Sequence, residues 1–176
     1  TRRRDAYVQN ERTQPMKAII VCTSVSHGNT KLIADVIGEV LDARVVEPGD
    51  IDAAQLADYD LVGFGSGIYL RSYHADLRSF VEALPEERRS KAFVFATSGF
   101  PDKGIHRFSR PLVQLLEQKG FDVVAAFSSR AWDTYLPFKP FGGIRKGRPN
   151  ADDLESARMF AEMLRGSVQD SLPGTG

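Results

Sequence analysis

The chain has 176 residues, of which 42% are hydrophobic and 26% are charged, and this composition is typical of a single globular domain. Its 23 basic and 23 acidic side chains cancel, so no net positive field favours nucleic acid or an anionic membrane as a partner. One cysteine, Cys22, excludes an internal disulfide and suits a reducing compartment, and no apolar run reaches the roughly 18 residues that a membrane span needs. We therefore expect a cytoplasmic protein with no membrane span.

Short apolar runs alternate with amphipathic segments along the chain. The apolar runs predict buried parallel strands at residues 17–23, 43–48, 60–66, 91–97 and 121–128. The amphipathic segments predict helices at residues 28–42, 52–59, 74–87, 106–120 and 151–166. Strand and helix thus alternate five times, which predicts an α/β fold with a doubly wound five-stranded parallel sheet and helices on both faces.

Both ends of the chain differ from this alternating pattern. Residues 1–15 are polar and lack an apolar core, so they are predicted to form a flexible N-terminal extension. Residues 167–176 are predicted to form a flexible C-terminal tail for the same reason. A single domain over residues 16–166 follows.

Small polar residues follow the first predicted strand, where the chain turns into the first helix. In a doubly wound sheet, ligands bind at the carboxyl ends of strands where the winding reverses. Unpaired N–H groups and the helix dipole favour an anion there, and side-chain hydroxyls add donors. The candidates are Ser24, Ser26, His27, Gly28, Asn29 and Thr30. Plain helix capping is the alternative, but one residue would suffice for it, so the cluster favours a phosphate site.

Two further loops carry small residues beside a strand end and one aromatic residue beyond it. The loop after the third strand contains Ser66, Gly67, Ile68 and Tyr69, and the loop after the fourth strand contains Thr97, Ser98, Gly99 and Phe100. Glycine lets a backbone approach a ligand closely, and an aromatic side chain offers a flat apolar face. We expect a flat ring between these loops. The alternative is that the two aromatic side chains only pack the loops.

This combination of loops on a five-stranded doubly wound sheet resembles the flavodoxin family. The family's phosphate pattern is Ser/Thr-x-Thr-Gly-x-Thr, and it stands here as residues 24–30, "SVSHGNT", with His27 in place of the usual threonine. The resemblance implies FMN as the cofactor, with its phosphate in the first loop. It also implies that residues 66–69 and 97–100 hold the isoalloxazine ring. Because hydrogen bonds to charged groups stabilise by about 1.5–3 kcal/mol, against about 0.5–1.5 kcal/mol for neutral ones, Thr30→Ala is expected to weaken FMN binding more than Thr97→Ala.

Three features separate the chain from an ordinary flavodoxin. Flavodoxin electron carriers are usually strongly acidic, whereas this chain is neutral. Residues 65–84, "GSGIYLRSYHADLRSFVEAL", are similar to the menaquinone-dependent protoporphyrinogen oxidase branch. Residues 128–150 form a long connection rich in aromatic and basic side chains, which is either a packed structural loop or a lid over the flavin.

These features favour an FMN-dependent oxidoreductase slightly over a pure electron carrier. A redox partner or a small acceptor such as a quinone is implied. The alternative is a flavodoxin-like module that has lost FMN and serves as a binding or structural unit. Because the flavin would supply the chemistry, no catalytic side chain is predicted. His74 and His106 show no metal-ligand spacing, so no metal site is predicted.

Overall fold

The computed structural model describes residues 15–24, 28–69, 72–87, 89–97, 105–128, 131–134 and 151–172. Residues 1–14 of the predicted N-terminal extension lie outside this range, as does most of the predicted lid. The side chains of residue 69, residue 72, residues 105–108 and residues 131–134 are also outside the description.

The strands form one sheet with a parallel centre. They are β1 (Ala18–Thr23), β2 (Arg44–Val46), β3 (Leu61–Tyr69), β4 (Ser72–Tyr73), β5 (Lys91–Thr97), β6 (Asp122–Ser128) and β7 (Ala131–Thr134). Their order is β2-β1-β3-β5-β6-β7, and the short β4 pairs with β3. The predicted five-stranded parallel sheet is confirmed in β2, β1, β3, β5 and β6. The antiparallel additions β4 and β7 were not predicted.

The helices connect the parallel strands. They are α1 (Asn29–Leu41), α2 (Ala75–Glu82), α3 (Ile105–Gln118) and α4 (Ala151–Ser171), with 3-10 helices at Pro48–Asp50 and Ala53–Asp58. The predicted helix at residues 52–59 is therefore a 3-10 helix, and α2 ends five residues earlier than predicted, before Pro85. The last helix runs five residues beyond its predicted end at Gly166, into the predicted tail. The helix continues past Gly166 because Val168 extends the buried stripe of Phe160 and Leu164 at helical spacing.

Two apolar cores lie on opposite faces of the sheet, because neighbouring strand residues point to opposite sides. On one face, Ile20 and Cys22 of β1 pack with buried residues of α1 and α4, including Ile37 and Leu164. On the other face, Val21 packs with buried residues of α2 and α3. Helices thus cover both faces of the sheet, as predicted.

Glycines in β3 make room for aromatic rings from β5. A Cβ atom at Gly63 would lie 2.4 Å from a ring atom of Phe93, and a Cβ at Gly65 would lie 2.0 Å from a ring atom of Phe95. Both rings are fully buried and stack on each other with centroids 6.0 Å apart. The rings therefore lie over the β3 backbone. The close packing of this core requires glycine at both positions, because any larger side chain would collide with a ring.

The winding reverses between β1 and β3, which are adjacent in the sheet although β2 lies between them in the chain. Thr23 at the end of β1 is in register with Ser66 of β3. Gly67 of β3 is in register with Thr97 at the end of β5. The carboxyl ends of β1, β3 and β5 therefore meet at one edge of the sheet, where a doubly wound fold binds its ligands.

Candidate functional site at the carboxyl edge of the sheet

The first helix begins at this edge with a glycine as its N-cap, which has no side chain to offer a capping hydrogen bond. Gly28 is its N-cap, in the left-handed conformation with φ 68° and ψ 16°, and makes no side-chain capping hydrogen bond. Within the described part of the chain, no heavy atom lies within 4 Å of the position that a Cβ of Gly28 would take. No acidic residue stands in the first turn of α1, whereas α2 and α4 begin with Asp76 and with Asp152 and Asp153. The positive end of the helix dipole is thus left for an outside anion.

Ser24 and Lys31 border this helix start. The Lys31 backbone N–H donates to Ser24 Oγ at 3.3 Å, so the first residue of the loop caps one N–H group of the first turn. The Lys31 ammonium pairs with the Asp35 carboxylate at 2.7 Å, and both side chains are about half exposed. Such exposed pairs stabilise by about 1 kcal/mol or less, so Lys31 can exchange this partner for an anion at little cost.

A hydroxyl pair links the first loop to the third. Thr30 in the first turn of α1 is buried, and Thr97 ends β5 and is partly buried. Their Oγ1 atoms lie 2.6 Å apart, and either hydroxyl can be the donor. The structure thus brings together two of the predicted site residues, from loops that were expected to hold different parts of the ligand.

β3 extends three residues beyond its predicted end at residue 66, so Ser66 and the three predicted loop residues after it lie within the strand. Ser66 is fully buried, its Oγ donates to the Gly67 carbonyl at 2.9 Å, and it accepts from the His74 backbone N–H at 3.0 Å. Because a hydroxyl has one proton, this donor is already used. We therefore expect Ser66 to link the end of β3 to the start of α2 and to make no donor bond to a ligand.

Thr23 is a site residue that the sequence analysis missed. Its side chain is 7% exposed, and its Oγ1 is buried without a hydrogen-bond partner among the described residues. A buried hydroxyl without a partner costs free energy, so Thr23 is a candidate donor to a ligand at this edge. The available signal was its position as the last residue of a buried strand, directly ahead of the polar cluster.

The remaining predicted site residues divide into two groups. Asn29 opens α1, and Ile68 packs partly buried against the core of the α2 and α3 face, so its contribution there is structural. Tyr69 ends β3, although its side chain is outside the description. Five further predicted residues lie outside the described residues, namely Ser26, His27, Ser98, Gly99 and Phe100.

Cys22 stands one residue before Thr23 and is buried in the core that the sheet forms with α1 and α4. Burial raises the pKa of its thiol from the ordinary value of 9.0 to about 12, and the nearby Asp35 carboxylate acts in the same direction. The thiol is therefore protonated at neutral pH and unsuited to nucleophilic or redox chemistry. This agrees with its expected role as a small apolar core residue.

The described ranges of the chain show neither a metal-binding cluster nor a membrane-spanning helix. They contain no group of three His, Cys, Asp or Glu side chains arranged to hold a metal ion. No helix in those ranges is both long enough and apolar enough to cross a bilayer.

The described donors fit a phosphomonoester attached to a polar chain. The glycine-initiated start of α1 and the Thr30 hydroxyl suit a phosphate, and the Thr23 hydroxyl suits a further polar group beside it. FMN has both features, with its phosphate at the end of a ribityl chain.

Comparison with known proteins bears on this interpretation. A model of the flavodoxin domain family matches residues 20–124. An uncharacterized protein of Methanocaldococcus jannaschii is 37% identical over 149 residues, which cover 85% of this chain and 98% of that protein. A solved flavodoxin from the domain Archaea superposes with a TM-score of 0.64 at 16% identity, covering 88% of this chain and 99% of the other.

The apo form of an NADH:FMN oxidoreductase superposes with a TM-score of 0.62 at 18% identity, covering 86% of this chain and 89% of the other. At these identities the two solved structures establish the shared fold alone. The family match extends over more than half of the sequence and includes β1, α1, β3 and β5. The chain therefore belongs to the flavodoxin family.

Proposed function

We propose that this protein binds FMN at the carboxyl edge of its sheet and uses it to transfer electrons to a quinone or a similarly small acceptor. FMN is the cofactor of the flavodoxin family, and membership of that family confirms the predicted cofactor. The observation that supports the proposed location is the start of α1, which has a glycine as its N-cap and no acidic residue in its first turn, with the Thr30 and Thr97 hydroxyls beside it. Bound FMN supplies reversible electron transfer, and the protein supplies binding and orientation.

The individual residues have distinct roles in this proposal. Gly28, Asn29 and Thr30 present backbone N–H groups and one hydroxyl to the phosphate. Thr23 donates to the same ligand from the end of β1. The chain at the carboxyl ends of β3 and β5 flanks the ring, and Ser66 joins the end of β3 to the start of α2 through its two hydrogen bonds.

Charge favours a small acceptor over a protein partner. A strong net charge steers redox proteins to partners of opposite charge over long range, and this sequence has a formal net charge of zero. A neutral quinone needs no such steering. The alternative function is that of an electron carrier that docks to a protein. The fold does not decide between the two, because flavodoxins and an NADH:FMN oxidoreductase share it.

The first prediction concerns the cofactor. The cofactor released from purified protein is expected to run as FMN on chromatography, and the apoprotein is expected to bind FMN more tightly than FAD or riboflavin. The physical reason is a compact site for one phosphate at a helix start, without a dinucleotide fingerprint. A protein that stays colourless after incubation with excess FMN would contradict both the cofactor and the function, and would favour a flavin-free binding module.

A charge placed at the helix start tests the location of the phosphate. Asn and Asp both tolerate the left-handed conformation of Gly28, and no described residue lies within 4 Å of the Cβ position, so Gly28→Asn and Gly28→Asp form a matched pair. Gly28→Asp is expected to bind FMN about tenfold more weakly than Gly28→Asn, because its carboxylate repels the phosphate. Riboflavin, which has no phosphate, should bind both variants alike. Equal FMN affinities of the two variants would place the phosphate elsewhere.

The acceptor is tested by turnover. The photoreduced, FMN-loaded protein should be reoxidised by quinones faster than by a small basic redox protein, and the quinone rate should be insensitive to ionic strength. Faster transfer to the protein acceptor, falling with added salt, would identify an electron carrier instead.

A further inference from the structure

The Thr30 and Thr97 hydroxyls form a contact across two chain segments that are 67 residues apart. Thr30 is 3% exposed, and the Oγ–Oγ distance of 2.6 Å lies at the short end for hydrogen bonds between hydroxyls. Because Thr30 is buried, water competes little for its hydroxyl, and a charge beside the pair can decide which hydroxyl donates.

The Thr30–Thr97 pair has one hydroxyl proton left for a bond to a ligand. Each hydroxyl has one proton and two lone pairs, so the bond between them uses one of the two protons and leaves the other. An anion at the start of α1 attracts the proton of Thr30, which is on that helix. Thr97 must then be the donor within the pair, and the two bonds polarise in the same direction. Ser66 cannot take this role, because its proton already goes to the Gly67 carbonyl.

We propose that Thr97 is a positioning residue for the phosphate of the ligand. By donating to Thr30 Oγ1, Thr97 keeps the Thr30 proton directed at the anion and fixes the end of β5 to the start of α1. This inference rests on the proposed function, and it assigns Thr97 to phosphate recognition instead of to the ring alone.

The test compares FMN with riboflavin, which differ by the phosphate. Apoprotein is titrated with each flavin, following fluorescence quenching, for wild type, Thr97→Val, Thr97→Ser, Thr30→Val and the double Val variant. Thr97→Val is expected to weaken FMN about 3- to 10-fold, as for loss of one neutral hydrogen bond. It should leave riboflavin within about twofold, on the same principle, since the lost bond serves the phosphate. Thr97→Ser keeps the hydroxyl and should restore FMN binding.

The double variant tests the coupling between the two hydroxyls. Thr30→Val removes the donor to the phosphate and is expected to cost about 10- to 100-fold in FMN affinity. If Thr97 acts only through Thr30, the double variant should bind FMN no more weakly than Thr30→Val. The predicted ranking, with Thr30 more important than Thr97, follows from the same arrangement.

Several results would overturn the proposal. Equal losses of FMN and riboflavin in Thr97→Val would show that Thr97 acts on the ring or on folding, and additive losses in the double variant would show that the two hydroxyls act independently. Circular dichroism identifies an unfolded variant, in which case Thr97→Ala replaces Thr97→Val under the same criteria. Failure of wild-type protein to prefer FMN over riboflavin would reject the proposed function itself, which separates the two failures.

Discussion

Replacing Gly65 with alanine is expected to lower the free energy of unfolding by about 3 kcal/mol, at the upper end of overpacking effects. The added Cβ would lie 2.0, 2.2 and 2.4 Å from three ring atoms of Phe95. The ring cannot move aside, because it is fully buried and stacks on Phe93, which in turn packs edge-on against Phe160. Urea denaturation, compared with wild type at constant m-value, measures the effect.

Gly166→Ala provides the matched control. Gly166 lies inside α4, and no heavy atom of the described chain lies within 4 Å of the position of its added Cβ. Alanine is favoured over glycine in a helix interior, so this variant is expected to gain up to about 1 kcal/mol. Replacing the ring with a smaller side chain, in a Gly65→Ala/Phe95→Leu variant, should recover part of the lost free energy of unfolding. A Gly65→Ala protein as stable as wild type would show that the rings do not lie over the β3 backbone.

Cys22 is expected to resist alkylation in the folded protein. Its pKa of about 12, against an ordinary 9.0, lowers the thiolate fraction about 1,000-fold at any pH below 9, and the thiolate is the reactive form. Iodoacetamide labelling at pH 8, followed by mass spectrometry, should therefore be slow in buffer and fast in urea. Equal rates under the two conditions would contradict burial of the thiol.

The same pKa makes stability depend on alkaline pH. Because the folded-state pKa is raised, the stabilising contribution of the protonated thiol is fully present below pH 9 and is lost as the pH rises from 9.0 towards about 12. The Tm of wild type should fall more steeply over this range than that of Cys22→Ala, in which the other titrating groups remain. Parallel Tm curves for the two proteins would assign the alkaline loss to those other groups.

The parallel centre of the fold was predictable because its sequence signals are local. Buried strands such as residues 17–23 are continuous apolar runs, and α1 shows helical spacing throughout. The two antiparallel additions were not predictable in this way. β4 has two residues and β7 four, which is too short for a periodic pattern, and both depend on pairing with a neighbouring strand.

The location of the ligand site was predictable from the order of strands and helices, whereas the hydrogen bonds within the site were not. The position of Thr30 at the start of α1 and of Thr97 at the end of β5 follows from the alternation of strands and helices, and this suffices to place them near the same edge. Which hydroxyl bonds to which depends on distances between segments far apart in the chain. For this reason the Thr30–Thr97 pair, the internal bonds of Ser66 and the orphaned Thr23 hydroxyl emerge only from the structure.

The separation of the two hydroxyls along the chain has a consequence for biosynthesis. Thr30 leaves the ribosome 67 residues before Thr97, and β3 and β5 must pair before the two can meet. Contacts of such long sequence separation form late in folding, after the loop-closure entropy has been overcome. Under the proposed binding mode, the nascent N-terminal half cannot hold the cofactor, so folding precedes cofactor capture. FMN then stabilises the finished sheet by mass action without serving as its template.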